Sequence, residues 1–112
     1  LAIAEAGVRR VLKRFGIAPG LNVDDTSSTR FMRSLGREAA VYAPDGGLFE
    51  PNADIGEMVA AGDLAGRIHF PDSPMKDPVG FHFSTAGTIS CRRFPTLTQR
   101  GDCLFNLMTD AK

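Results

Sequence analysis

Two stretches of the sequence are nearly alike: AAGDLAGRI, from Ala60 to Ile68, and QRGDCLFNL, from Gln99 to Leu107. In each stretch a Gly-Asp pair is followed by an apolar residue, and a second aliphatic residue stands six positions after the glycine. Upstream, GLF begins fifteen residues before the first of these glycines, and GTI begins fourteen residues before the second. Internal self-similarity at a fixed spacing indicates repeated structural units. We therefore interpret the sequence as two half-units of one design.

Glycine and aspartate at matching places in the two half-units predict their turns. The glycine at the start of GLF and the glycine at the start of GTI each begin a strand, where a tight turn is expected to need a positive φ. In each Gly-Asp pair we expect the aspartate to accept backbone hydrogen bonds in the turn before the next strand. The predicted turn residues are Gly47, Gly62, Asp63, Gly87, Gly101 and Asp102.

Short apolar runs broken by glycine and proline predict β-strands from Phe31 onward. The candidates are RFMRSL, AAVYAP, GLFEP, DLAGRIHF, VGFHFS, GTISCRRF and CLFNLM. The segment DIGEMVAAGDL predicts a further pair of turns, with Ile55, Met58, Val59 and Leu64 available for the interior. The close spacing of the runs predicts a mainly β barrel or sandwich. The repeated pattern resembles the barrel-sandwich hybrid of biotinyl and lipoyl carrier domains, in which two similar halves interlock around a shared core.

The start of the chain predicts a separate amphipathic helix over residues 1–17, followed by a linker over 18–30 and the β domain over 31–112. The helix has one apolar face, and Gly16 supplies its stop. No side chain that could cap a helix precedes this pattern in the sequence, so we expect the helix to begin upstream, in a larger protein. The residues of the apolar face are Ile3, Val8, Val11, Leu12 and Phe15.

Composition excludes several classes of partner. Thirteen basic residues balance thirteen acidic residues, so no net field attracts nucleic acid or an anionic membrane. No apolar run approaches the roughly 18 residues of a membrane span, and there is no signal-peptide pattern. Two cysteines, Cys91 and Cys103, are too few for a disulfide framework and lie in predicted strands. We expect buried free thiols in a reducing compartment, and hence a cytoplasmic protein.

Candidate catalytic residues are sparse. His69 and His82 lie thirteen residues apart in predicted strands, without the spacing of a zinc motif. Arg92 and Arg93 could bind an anion or simply be exposed charges at a strand end. Lys76 lies between the half-units, where carrier domains present a modifiable lysine. Pro74 and Pro78 on either side of it, and its distance of fourteen residues from the first Gly-Asp glycine, argue for an exposed loop lysine instead.

The whole chain resembles a known family. The helix AIAEAGVRRVLKRFGI, the stretch VYAPDGGLFEPNADIGEMVAAGDLAGRIHFPDSP and the stretch GTISCRRFPTLTQRGDCL together look like the C-terminal part of the succinylglutamate desuccinylase/aspartoacylase family. The likeness is greatest to bacterial members such as the N-acetyl-diaminobutyrate deacetylases. It covers essentially all 112 residues, and the ordered string of Gly-Asp turns is more specific than any single motif.

The resemblance implies a zinc-dependent amidohydrolase that acts on small N-acyl amino acids. In the family, zinc is held by a His-x-x-Glu pair and a later histidine in an N-terminal α/β domain, and a glutamate activates water. None of those positions lies in this sequence, so the resemblance implies no catalytic and no metal residue here, and no activity for this fragment alone. It implies a missing catalytic domain as partner, together with a role for the β domain in substrate access or in assembly, including self-association. The alternative is a free-standing barrel-sandwich binding or carrier module.

Overall fold

The structure is a computed structural model that describes residues 1–23 and 28–112, so residues 24–27 of the predicted linker lie outside the described residues. The predicted fold class is confirmed: the described residues form one helix and nine strands. They are α1 (Ala2–Arg14), β1 (Met32–Ser34), β2 (Val41–Tyr42), β3 (Gly47–Pro51), β4 (Met58–Val59), β5 (Leu64–His69), β6 (Val79–His82), β7 (Gly87–Arg92), β8 (Leu97–Thr98) and β9 (Cys103–Asp110).

The strands form two antiparallel sheets that interlock. One sheet has the order β1-β9-β7-β4, with β2 also paired to β9, and the other has the order β6-β5-β3-β8. The first half-unit, β2 to β5, corresponds strand for strand to the second, β6 to β9. Strands β3 and β7 pair within their own halves, with β5 and β9. Strands β2, β4, β6 and β8 pair with the opposite half. Each sheet therefore contains strands of both halves, and the halves share one core.

At two equivalent core positions the first half has small residues and the second half has large ones. Two residues after each Gly-Asp aspartate stand Ala65 and Leu104, and both are buried. One residue further on stand Gly66 and Phe105. A Cβ on Gly66 would lie 2.5 Å from a backbone carbonyl oxygen and 2.9 Å from Phe49 Cε2. Since a close-packed interior holds a fixed volume, the bulk that one half lacks is supplied by the other.

Aromatic rings occupy the centre of this core. The Phe105 ring centroid lies 5.7 Å from that of Phe49 and 5.2 Å from that of Phe83. These contacts join β3 of the first half to the second half, as the shared core requires. The buried apolar residues are Ala39, Val41, Ala43, Phe49, Ala65, Ile68, Phe83, Ile89, Leu104, Phe105 and Leu107.

Helix α1 ends in a Schellman motif. Gly16 has φ of 72°, its N–H donates to the Lys13 carbonyl at 3.1 Å, and the N–H of Ile17 donates to the Leu12 carbonyl at 3.0 Å. Glycine at this position avoids the steric cost of a left-handed backbone. No residue of the helix is buried, so its predicted apolar face is exposed apart from the half-buried Leu12. The described residues contain no helix with the length and apolarity of a membrane span.

The segment before β5 departs from its prediction. Strands β4 and β8, of two residues each, were not predicted. Ile55 and Met58, which were predicted to be available for the interior, are exposed, whereas Val59 and Leu64 are half-buried. Met58 and Val59 point to opposite faces of β4, so only one of the two faces inward, and Ile55 lies in the loop before β4.

Candidate functional site

The two Gly-Asp pairs fold into the same turn. Gly62 and Gly101 have φ of 92° and 90°. In each turn the aspartate N–H donates to the carbonyl three residues before it, at 3.2 Å in the first and 3.0 Å in the second. The glycine is the third residue of both turns, and this is the type II arrangement, in which the third residue has a positive φ.

The aspartate carboxylates close these turns. Asp63 Oδ2 accepts a hydrogen bond from the Ala60 N–H at 2.8 Å, and Asp102 Oδ2 accepts one from the Gln99 N–H at 2.9 Å. Each carboxylate therefore satisfies a backbone donor on the other side of its own turn. The carboxylates therefore have a structural role in their turns, and neither is assigned as a general base.

Each turn also connects its own half to the other. The first turn exchanges two backbone hydrogen bonds, of 2.8 and 2.9 Å, with Phe83 of the second half. The second turn exchanges two, of 2.9 and 2.8 Å, with Ala43 of the first half. The same pair of bonds is therefore made by both turns, and the repeated sequence encodes the contacts that join the halves.

Gly47 and Gly87 begin their strands for different reasons. Gly47 has φ of 154°, and a Cβ there would lie 2.3 Å from the His69 carbonyl oxygen. The expectation of a positive φ is wrong for Gly87, which is not among the glycines with that conformation. A Cβ on Gly87 would lie 3.0 Å from Leu35 Cδ1 and 3.2 Å from Leu107 Cβ. Close packing, rather than a left-handed backbone, therefore explains this glycine.

The histidines do not form a metal site. His69 Nε2 lies 2.6 Å from Glu50 Oε2, and the other oxygen of the same carboxylate lies 3.6 Å from Arg67 Nη1. His82 is exposed on β6, opposite Leu64. In residues 1–23 and 28–112 no three histidine, cysteine, aspartate or glutamate side chains are grouped as a metal would require. Protein zinc sites use at least three such ligands, so the described residues offer no complete zinc site.

Lys76 lies in the loop between β5 and β6, and its side chain is engaged by its own domain. Its Nζ lies 3.8 Å from the centroid of the Phe70 ring and 3.7 Å from Asp45 Oδ2. A cation above an aromatic face is attracted by the ring quadrupole. Both contacts hold the ammonium against the protein surface, which disfavours the free presentation that a carrier lysine requires.

Arg92 and Arg93 line a shallow concavity of about 250 Å³ between the end of β7 and the start of β9. Both are already paired with acids: Arg92 Nη1 lies 3.3 Å from Asp54 Oδ1, and Arg93 Nη2 lies 3.1 Å from Asp102 Oδ2. The Arg93 Nε is buried without a hydrogen-bond partner in the described residues. The two arginines therefore form ion pairs with acidic residues of the neighbouring turns. Because their charges are neutralised in this way, the concavity has little net attraction for an anion.

The two cysteines are free, as predicted, but the expectation that they are buried is wrong. Both Cys91 and Cys103 are exposed, and both line the same concavity. Partial burial, and to a smaller extent the charge of Cys91, raise the pKa of the Cys103 thiol. The thiols point outward because β7 and β9 each cover the core with one face only. The alternation of inward and outward side chains along these strands sets the direction of the thiols. The hydrophobic composition of the strands does not indicate that direction.

A further ion pair between distant parts of the chain was also not predicted. Arg30, just before β1, makes a bidentate interaction with Asp110 at the end of β9, with Nη2 2.7 Å from Oδ2. Hydrogen bonding from Arg30 lowers the pKa of Asp110 below its ordinary value. Eighty residues separate the partners, so no local pattern could have indicated the pair.

Solved structures resemble the chain over almost its full length. A succinylglutamate desuccinylase/aspartoacylase from Rhodobacter sphaeroides matches with a TM-score of 0.82 and 30% identity over 98% of this chain and 35% of that chain. The product-bound ectoine utilization protein EutE (DoeB) from Ruegeria pomeroyi matches with a TM-score of 0.77 and 34% identity over 96% of this chain and 32% of its own. A succinylglutamate desuccinylase from Silicibacter sp. TM1040 matches with a TM-score of 0.72 and 28% identity over 98% of this chain and 33% of its own.

The chain thus spans about a third of the length of these proteins. Neither a protein-family model nor a curated protein matches it.

Proposed function

This chain is related by sequence and fold to the succinylglutamate desuccinylase/aspartoacylase family, and from that premise we propose that it is the C-terminal β domain of a zinc-dependent deacylase. The parent enzyme hydrolyses the amide bond of small N-acyl amino acids. The observation that carries the proposal is the match of 98% of this chain to 35% of an enzyme-family relative.

The names of the relatives support the reaction class. Two are named as succinylglutamate desuccinylases or aspartoacylases, and a third as an ectoine utilization protein. The first two names describe removal of an acyl group from a small amino acid. We extend that reaction class to the parent of this chain, with the acyl group and the amino acid left open.

The chemistry is assigned to the part of the parent outside this chain. Zinc in such enzymes polarises the acyl carbonyl and lowers the pKa of its bound water. The described residues here do not fit a zinc site. The role that we propose for this domain is therefore to shape substrate access or to support assembly, and no proton transfer or metal ligand is assigned to its residues.

The exposed apolar face of helix α1 supports the proposal that another part of the parent packs against it. Ile3, Val8 and Val11 are exposed on it, as is Phe15 directly after it. An amphipathic face of this kind normally packs against another element. A helix of thirteen residues is also marginal on its own in water. We propose that the catalytic domain covers at least part of this face.

A chimera tests the proposal. In the Rhodobacter sphaeroides relative, the matching third is replaced by this chain, and hydrolysis of N-acetyl and N-succinyl amino acids is measured with zinc and with a chelator. We expect zinc-dependent turnover by the chimera, and reduced turnover by the relative when the matching third is simply deleted. A folded, zinc-loaded chimera with no turnover on either substrate class would contradict the proposal.

The isolated chain provides a second measurement. After dialysis we expect no stoichiometric zinc by elemental analysis and no hydrolysis, because three ligands are not assembled in its described residues. One zinc per chain, lost on substitution of His69 or His82, would contradict the assignment of the metal to the other part of the parent.

The alternative is a free-standing carrier module, favoured by the position of Lys76 between the two halves. It predicts covalent modification of that lysine by a biotin or lipoate ligase. We expect the intact mass to be unchanged after incubation with either enzyme, because Phe70 and Asp45 hold the ammonium. A mass increase abolished by Lys76→Arg would favour the carrier function instead.

A further inference from the structure

One edge of the second sheet is open along the whole of strand β6. This strand comes first in the order β6-β5-β3-β8, so it pairs with β5 on one side only. Gly80 and His82 are exposed on it, whereas Val79 and Phe81 are half-buried. An edge strand presents a row of unpaired N–H and C=O groups, which can pair with a strand of another chain.

The backbone hydrogen bonds show which residues of β6 face outward. Phe83, directly after the strand, exchanges two backbone hydrogen bonds with the first Gly-Asp turn, which leads into β5. In an antiparallel pair, alternate residues direct their N–H and C=O to the same neighbour. The register shift in this pair lies on β5, so the alternation along β6 is unbroken. Val79 and Phe81 therefore bond to β5, and the N–H and C=O of Gly80 and His82 point away from it. The backbone bonds of residues 1–23 and 28–112 give these outward groups no partner.

Strand β6 lacks the features that normally protect a sheet edge. Apart from His82, no residue from 78 to 90 carries a titratable side chain, and no proline lies within the strand. Edge strand β1, by contrast, contains Arg33 and closely follows Arg30. Natural edges are commonly blocked by charged side chains, by proline or by shortness of the strand. Strand β6 has four residues, whereas β2, β4 and β8 have two each. Among the edge strands that the structure describes, β6 is therefore the longest, and it is uncharged.

We propose that β6 of one copy of this chain pairs antiparallel with β6 of a second copy. With the twofold axis at Phe81, Gly80 lies opposite His82 of the partner subunit, and the outward N–H and C=O groups of both residues are satisfied reciprocally. The four-stranded sheets of the two copies then form one continuous sheet. Pairing of identical surfaces is isologous, so the product is a closed dimer. This dimer supplies a partner for the assembly role proposed above and rests on no step of the deacylase reaction.

The side chains favour pairing of β6 with its own copy. Like charges directly opposite each other destabilise a strand pair. Pairing of β1 with itself about its central residue would place Arg33 opposite Arg33 of the partner subunit, whereas β6 brings no permanently charged side chains together. Gly80 adds no side chain to the new strand pair, and the nearest atom to a Cβ there would be Leu64 Cδ1, at 3.5 Å. The exposed imidazole of His82 of the partner subunit therefore has space opposite Gly80.

Hydrogen exchange of the full chain tests the pairing directly. By NMR, the amides of Gly80 and His82 are expected to exchange rapidly in dilute solution and about tenfold or more slowly at a concentration where sedimentation velocity shows the dimer. The amides of Val79 and Phe81 are the internal control, because they bond to β5 and should be protected at both concentrations.

Charged substitutions at Gly80 provide a second test. Gly80→Lys and Gly80→Glu each place like charges near the twofold axis and should each weaken dimerisation about tenfold or more. An equimolar mixture of the two variants should recover the dimer, because the charges are then opposite. Gly80→Ala adds a methyl group without a charge and should dimerise like the wild type. Far-UV circular dichroism reports whether each variant is folded.

Four results would overturn the proposal. The first is a wild-type chain that is monomeric at every concentration, and the second is a dimer in which the amides of Gly80 and His82 still exchange rapidly. The third is dimerisation of Gly80→Lys and Gly80→Glu as strong as that of Gly80→Ala. The fourth is association that Ile3→Ser abolishes, which would assign the contact to helix α1. Because no hydrolysis is measured, none of these results bears on the proposed reaction.

Discussion

Replacement of either turn glycine by alanine tests whether the repeated sequence encodes one physical device. Gly62 and Gly101 have φ values within a few degrees of each other, and a Cβ at either position would meet no atom within 4 Å. Any cost of alanine is therefore conformational rather than steric. Because the two turns are equivalent, the two costs should also be equal.

The magnitude follows from the backbone. A left-handed conformation costs an L-residue about 1–2 kcal/mol, and alanine recovers about 0.4–1 kcal/mol by restricting the unfolded chain. We expect Gly62→Ala and Gly101→Ala each to lower the free energy of unfolding by about 1 kcal/mol. For a domain of this size that corresponds to a fall in Tm of about 4–8 °C.

Two other glycines bracket this value. Gly80, on β6, has no positive φ, and its Cβ would meet only Leu64 Cδ1, at 3.5 Å. Gly80→Ala should therefore be neutral or stabilising by up to about 1 kcal/mol. Gly66→Ala should be the most destabilising of the set, because its Cβ would lie 2.5 Å from the Glu50 carbonyl oxygen.

Urea unfolding followed by circular dichroism gives the four free energies. Gly62→Asn and Gly101→Asn provide a further check, since asparagine tolerates the left-handed region better than alanine and should cost less. The reasoning fails if the free energies of unfolding of Gly62→Ala and Gly101→Ala differ by more than about 1 kcal/mol. It also fails if both variants are as stable as Gly80→Ala.

Three other predictions concern charges and the helix. Asp102→Asn should lower stability more than Asp63→Asn, measured by urea unfolding, because only Asp102 also pairs with Arg93, 3.1 Å away; equal losses would contradict this. The pKa of Asp110 is lowered in the fold, so the stability from its arginine partner should be present above the ordinary carboxyl value of 3.8 and lost as the pH falls through the lower folded value. The free energy of unfolding of Asp110→Asn should then be lower than that of wild type at neutral pH and equal to it in acid. A difference that stays constant with pH would contradict this. Deletion of residues 1–20 should leave the β domain folded by circular dichroism, because no residue of α1 is buried; loss of the β spectrum would place the helix in its core.

Local patterns accounted for much of the fold. Seven of the strands in the described residues fall in runs identified by alternation and by flanking glycine and proline. The Gly-Asp turns could be inferred because their determinants are contiguous: a glycine at the third position and a carboxylate that reaches back across the turn. The stop of helix α1 before Gly16 could be inferred for the same reason, since the Schellman motif involves only nearby residues.

The contacts of the candidate functional residues could not be predicted from the sequence, because they join residues that are distant in the chain. Nothing near Lys76 indicates that Phe70 and Asp45 hold its ammonium together, and nothing near Arg30 indicates Asp110. The family likeness came from an ordered string of turns rather than from a set of reactive residues, so it indicated a fold and a reaction class without a site.

The sequence by itself determined the repeat, its turns and its mainly β character, since each depends on the conformational preferences of neighbouring residues. The resemblance to the barrel-sandwich hybrid predicted that the halves interlock, and only the tertiary structure decided which strands and side chains join them. Strands β4 and β8 cross to the opposite half, Gly66 in one half makes room where Phe105 fills the other, and Met58 and Leu97 remain outside on sheet edges. These outcomes depend on the volume and hydrogen bonds of a core that two separate segments share. A pattern within either segment cannot specify them, because the energy that selects the arrangement arises only when both are packed together.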